Sequence, residues 1–201
     1  MRQYILLIMT TLLVFCACRY GEELDRTIFI ADEDDHNLPA YSEWGYNAFG
    51  AKYERSYFLS SNNITPCKAV YKEGILHFSL HGYLNLPEVN ANSRQQQMSL
   101  TFSFPSSTKE TYQDLQKLGE TDIDLSLCTV EIKRDNVAVE IENVSGHLIF
   151  KRTQLLRIDG VENRVILSGT FDMSFFNNNI PNKISNGRFD VGINDDFYSF
   201  E

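Results

Sequence analysis

The chain has 201 residues, of which 18 are Lys or Arg and 27 are Asp or Glu, for a formal net charge of −9. That acidity disfavours nucleic acid and anionic lipid faces as partners, because both carry the same sign, and it suits a solvated surface protein. The length fits one domain with a substantial core, and beyond its N-terminus the chain has no apolar run long enough to span a bilayer as a helix.

The N-terminus opens with Arg2 as a positive flank, followed by an apolar run from Ile5 to Ala17. Such a run is short of the roughly 20 residues a membrane helix needs and fits the apolar region of a signal peptide. It has no polar face, which argues against a surface helix of the folded domain. Ordinary secretory cleavage wants small residues at −3 and −1, and Phe15 would occupy −3 for a cut after Ala17. Phe15-Cys16-Ala17-Cys18 resembles a bacterial lipobox instead, with small Ala17 at −1 and Cys18 at +1. It departs from the usual pattern, which has Leu at −3 and a small residue at −2. Cys16 does not qualify, since Phe15 would then be at −1. Residues 1–17 are therefore expected to be a signal peptide and Cys18 the lipidated residue. Each buried acyl CH₂ contributes about 0.8 kcal/mol, so two or three chains anchor stably.

Residues 18–40 read as an acidic tether: Glu22, Glu23, Asp25, Asp32, Glu33, Asp34 and Asp35 outnumber Arg19 and Arg26. This composition predicts an extended, solvated segment, in which Ile28-Phe29-Ile30 could add a short edge strand. Asp32-Glu33-Asp34-Asp35 lacks the spaced ligands and glycine of a calcium loop. Glu22 and Glu23, close behind the cysteine, resemble the surface-export signals of Bacteroidetes lipoproteins. The location implied is the outer membrane, lipid-anchored and facing outward.

Residues 41–201 read as a β-domain. Tyr41, Trp44, Tyr46, Tyr53 and Tyr57 cluster at its start, and aromatics on exposed loops stack on sugars or anchor protein partners. Trp44, the only tryptophan, lies beside Gly45; Trp44 and Tyr46 are the candidate ligand contacts. From Gly45 onward the period is two. Leu76, Phe78 and Leu80 alternate with His77, Ser79 and His81; Met98, Leu100, Phe102 and Phe104 with Ser99, Thr101 and Ser103; Val165, Leu167, Gly169, Phe171, Met173 and Phe175 with Ser168, Thr170, Asp172 and Ser174. Turn chemistry separates the runs at Lys72-Glu73-Gly74, Arg134-Asp135-Asn136, Asp159-Gly160 and Asn177-Asn178-Asn179. The spacing predicts an all-β antiparallel sandwich of about ten strands, with an open or closed barrel as the alternative. One short helix is predicted over Ser107–Leu118. It has Tyr112, Leu115 and Leu118 three apart, Ser107 and Glu110 at capping-box spacing, and Gly119 as the stop.

Cys67 and Cys128 are either a disulfide or two separate buried thiols; spacing leaves both open. His77 and His81, four apart on a strand, lie about 13 Å from one another, too far to share one metal ion. No G-x-S-x-G, H-E-x-x-H, C-x-x-C or phosphate-cradling loop occurs, so neither enzyme activity, cofactor nor metal is expected. Asp172 and Asp190 would meet if their strands paired in that register, but an acidic protein offers many such pairs.

The segment Asn47-Ala48-Phe49-Gly50-Ala51-Lys52, with a turn at Glu54-Arg55, resembles the opening hairpin of a group of Bacteroidetes surface lipoproteins of unknown function. Ala48 stands where that group has Thr, and Glu54-Arg55 where it has Asn-Gly. Leu167-Ser168-Gly169-Thr170-Phe171 and Ile184-Ser185-Asn186-Gly187-Arg188-Phe189-Asp190-Val191 are similar to its closing strands, and Tyr112-Gln113-Asp114-Leu115 and Ile123-Asp124-Leu125 to its middle. The resemblance covers most of residues 45–193. It implies the compartment and a β-fold, and transfers no catalytic residue. In physical terms, Gly169 and Gly187 mark places where a backbone or ring approaches closely. Residues 164–176 and 183–193 are expected to pair with Val165, Leu167, Phe171, Met173, Phe175, Phe189, Val191 and Ile193 inward. Arg188 and Asp190 then face out, with Arg188 available to latch a carboxylate such as Asp172. The expected function is a membrane-anchored glycan- or protein-binding module. The alternative is a structural accessory subunit of an outer-membrane complex.

Overall fold

A computed structural model of the chain describes residues 24–85, 95–107 and 111–200. The signal segment, Cys18, Glu22, Glu23 and Glu110 lie outside them. The strands are β1 Ala48–Tyr53, β2 Ser56–Leu59, β3 Cys67–Lys72, β4 Ile75–Asn85, β5 Gln95–Pro105 and β6 Thr121–Asp124, then β7 Thr129–Arg134, β8 Val137–Val139, β9 Glu142–Ile158, β10 Val161–Asn177, β11 Ile180–Ile193 and β12 Tyr198–Phe200. They hydrogen-bond into one sheet in the order β6-β9-β10-β11-β1-β2-β4-β5-β7-β8, while β3 branches from β4 and carries β12 in parallel. Every other pairing is antiparallel.

The chain is thus all-β, and its ten-strand path is a curled half-barrel. The two arms of the curl face each other as the layers of a sandwich do. Phe78 of β4 meets Phe150 of β9 at 5.5 Å and Phe189 of β11 at 5.3 Å, and Phe102 of β5 meets Phe171 of β10 at 5.7 Å. Period two drives this. In β5 the buried residues are Met98, Leu100, Phe102 and Phe104, and in β10 Val165, Leu167, Phe171, Met173 and Phe175 all point into the core. The turns match their chemistry. Glu73 and Gly74, Asp135 and Asn136, Asp159 and Gly160, and Asn178 and Asn179 all adopt positive φ, as tight hairpins with twisted strands require. Between β1 and β2 only Glu54 does so, at φ 53°.

The helix is present but tighter and shorter than expected, a 3₁₀ helix over Tyr112–Leu118 that follows an extended Thr111. At three residues per turn, Tyr112, Leu115 and Leu118 stack above one another, and all three enter the core. Gly119 ends it with φ −56°, so no left-handed cap is used. A single further 3₁₀ turn, Leu125–Leu127, follows β6.

The largest departure is the acidic segment. Residues 24–40 are not a solvated spacer but a layer laid across the outer face of β10, β11, β1 and β2. Asp25 pairs with Arg164 at 2.9 Å, Asp32 with Arg188, and Asp35 accepts from the Tyr57 hydroxyl at 3.1 Å. Leu38 is fully buried, while Glu33 and Asp34 remain exposed. Ile28–Ile30 form no strand. They are joined by single backbone bonds, Ile28 N–H to Tyr46 O at 2.8 Å and Ala40 N–H to Ile30 O at 2.7 Å. Net acidity suggested solvation, but Asp25, Asp32 and Asp35 each find a cation or hydroxyl far along the chain.

Candidate functional site

Asp190 organises the site. Alternation in β11 turns Phe189 and Val191 inward and Asp190 outward, opposite Ser168 of β10. The chain at 42–46 crosses above it, leaving Asp190 only 3% exposed. Its carboxylate accepts from the backbone N–H groups of Trp44 at 3.1 Å, Gly45 at 2.8 Å and Tyr46 at 3.1 Å, and from the hydroxyls of Ser168 at 3.0 Å and Ser42. Successive N–H groups converging on one anion form a nest, and hydrogen bonds to a charged acceptor are roughly twice as strong as neutral ones. Gly45 makes the turn possible at φ 76°, lying against the Ile166 side chain. The loop is held from below, and its indole stands out: Trp44 is 75% exposed.

Beside Trp44, the Glu43 carboxylate accepts from Arg152 at 2.7 Å and from the Tyr41 hydroxyl at 2.9 Å, and the Gln154 amide donates to the Glu43 carbonyl. Arg152 and then Tyr41 hold the Glu43 carboxyl below its ordinary range against partial burial; burial and Glu43 push the Tyr41 hydroxyl up. The Lys151 ammonium lies 4.9 Å from the Tyr41 ring centre, a cation–π contact. Tyr41 divides two hollows. One of about 280 Å³ is bounded by Trp44, Glu43, Arg152 and Gln154; the other, of about 630 Å³, by Lys151, Thr170, Asp172, Lys183 and Arg188.

The other candidates scatter. Tyr46 is half-buried and serves through its backbone, N–H to Asp190 and carbonyl to Ile28. Tyr53 is core, stacked on Phe175 at 6.0 Å, and Tyr57 pins Asp35. The expected partner of Arg188 is corrected. It pairs with Asp32 of the outer layer, while Asp172 lies opposite His147 of β9 and not opposite Asp190. His77 and His81 line a separate groove of about 480 Å³ on the outer face of β4 and β5, where His77 meets the Ser103 hydroxyl at 2.8 Å. Burial, then Lys68, lowers the pKa of His81. Cys67 and Cys128 are separate thiols, and burial pushes Cys67 up to about 12.

Sequence reasoning named Trp44 but missed what holds it. A signal existed in the turn-forming Ser42, Gly45 and Asn47 around Trp44, and in a carboxylate set between the apolar Phe189 and Val191 of the closing strand. Compared with known proteins, the chain matches no family model, no curated protein and no solved structure.

Proposed function

We propose that the protein is a lipoprotein anchored through Cys18 to the outer membrane, facing outward, and that its Trp44 loop binds glycans. One observation carries the binding reading: the indole of Trp44, 75% exposed, sits on a loop whose backbone is tied to a buried carboxylate. A large apolar ring left in water is a recognition surface, and a loop already ordered loses little conformational freedom on binding. Glu43, Arg152, Gln154 and Tyr41 border that ring with the planar polar groups that hydrogen-bond sugar hydroxyls. The anchor reading rests on Phe15-Cys16-Ala17-Cys18 and on the resemblance to Bacteroidetes surface lipoproteins. From Cys18 to Leu24, where the described chain begins, an extended backbone reaches at most about 20 Å, so the domain would stay near the membrane.

Two experiments test this. On a glycan array the full-length protein in detergent should bind a defined set of saccharides, and Trp44→Ala should weaken that binding at least tenfold with an unchanged circular dichroism spectrum. Equal binding by the variant refutes the Trp44 site. Mass spectrometry of the native protein should find an acylated Cys18, and Cys18→Ser should move it from the membrane to the soluble fraction. A free N-terminus elsewhere refutes the anchor. A second reading, a structural accessory subunit of an outer-membrane complex, is favoured by Ile28, Phe29 and Ile30, consecutive apolar side chains 48%, 45% and 49% exposed. It predicts a stoichiometric partner in pull-downs from solubilised membranes that is lost on Phe29→Asp.

A further inference from the structure

The outer layer of residues 24–46 leaves part of the β10–β11 face uncovered, and that part is the 630 Å³ groove beyond Tyr41. In a chain of net charge −9, its walls carry Lys151, Lys183 and Arg188 against one carboxylate, Asp172. Arg188 is engaged with Asp32, but neither lysine forms an ion pair among the described residues. Two irregularities in the sheet frame the groove. Register slips between β9 and β10, where Ser168 faces Arg152 and Gly169 faces Phe150, so Lys151 is the extra residue and points outward beside Arg152. It slips again between β10 and β11, where Phe171 faces Gly187 and Met173 faces Ile184. That leaves Ser185 and Asn186 opposite Asp172, with Asn186 at φ 54°. Bulges re-aim side chains and recur beside binding sites; here they bring a cation to one wall and open the floor.

We propose that this groove binds the anionic substituent, carboxylate or sulfate, of a saccharide whose ring stacks on Trp44. The inference rests on the glycan reading of the Trp44 loop and names its ligand class. Tyr41 lines both hollows, so one ligand can cross from the indole to the lysines. Ammonium groups without a salt-bridge partner on a partly enclosed wall attract an anion, and that attraction is screened by salt.

The full-length protein in detergent is titrated with an oligogalacturonate, a chondroitin sulfate oligosaccharide, and neutral oligosaccharides of equal length. At least one acidic probe should bind at least tenfold tighter than its neutral counterpart at low ionic strength, and the preference should shrink as salt rises. In Lys151→Gln/Lys183→Gln the ratio of acidic to neutral affinity should fall to about one. Equal affinities in the wild type, or a preference that survives the double variant, overturns the groove and leaves the Trp44 reading standing. Acidic binding that survives Trp44→Ala but is lost in the double variant upholds the groove as an anion site and overturns the indole platform. Binding of no saccharide overturns both.

Discussion

Asp190 shows how a single side chain holds a loop that has no regular structure of its own. The backbone N–H groups of Trp44, Gly45 and Tyr46 would be unsatisfied beneath the loop without it, and a buried donor left unpaired costs about 1–3 kcal/mol. Asp190→Ala should therefore destabilise the protein by about 3 kcal/mol or more in urea melts. Asp190→Asn, which keeps one acceptor oxygen, should cost less. Trp44 is the sole tryptophan, so its fluorescence anisotropy reports on the loop directly. It should fall in Asp190→Ala even under conditions where the domain stays folded. A loss below about 1 kcal/mol with unchanged anisotropy would mean that something else holds the loop.

At the scale of elements, β10 and β11 lock through complementary shapes. Gly169 faces Phe189 and Gly187 faces Phe171 in the register, and each ring lies over the neighbouring glycine. A Cβ at Gly169 would come 2.0 Å from the Ile149 carbonyl and 2.6 Å from the Phe189 ring, so backbone as well as side chain would have to move. This is the close approach that the two glycines implied in the sequence. Phe171 and Phe189 are 2% and 1% exposed, so truncating either to Ala should cost about 3–5 kcal/mol. Arg188, whose side chain is 17% exposed and paired with Asp32, should cost about 1–2 kcal/mol on replacement by Ala. Denaturant melts of the three variants would reverse the assignment of faces if the arginine change proved the most severe. The helix teaches a related lesson. Apolar residues spaced strictly by three read as one turn after another of helix, yet that period belongs to 3₁₀ geometry, and Tyr112–Leu118 adopts it.

Across the whole molecule, residues 24–46 form a second layer held largely by carboxylates. Burial alone would raise the Asp32 carboxyl, but the N–H groups of Asp35 and Asp34 and the Arg188 guanidinium together lower it. Asp35 and Glu43 are lowered as well. A carboxyl depressed in the folded state contributes stability that is present above its ordinary value, 3.8 for Asp32, and lost as pH falls through the folded value. The layer should therefore detach in acid, below about pH 4, before the sheet opens. Hydrogen exchange, corrected for intrinsic rate, should show protection at the amides of Asp34 and Asp35 at pH 6 and its loss near pH 2.5. Protection that persists in acid would assign the docking to Leu38 and the backbone bonds alone. His147 behaves with the opposite sign. The Asp122 hydrogen bond and charge raise it, so its tie between β9 and β6 is complete below about 6.5 and is lost as pH rises through the raised value.

Local features follow from residues close in the chain. Period-two alternation set which face of β4, β5, β10 and β11 is buried, and residues able to take positive φ marked their turns, because side-chain direction and turn geometry depend on neighbours only a few positions away. Tertiary structure alone decided the rest. Alternation is the same whether strands form two sheets or one curled sheet, so continuity from β6 to β8 was not legible. Gly45 and Asp190 are 145 residues apart, and Asp32 and Arg188 are 156 apart, yet the first pair shapes the Trp44 loop and the second docks the acidic segment. The lysine groove likewise depends on two register slips, which have no signature in a single strand's pattern. Where a charged residue finds its partner only after the sheet has curled, composition predicts solvent and the fold supplies a contact.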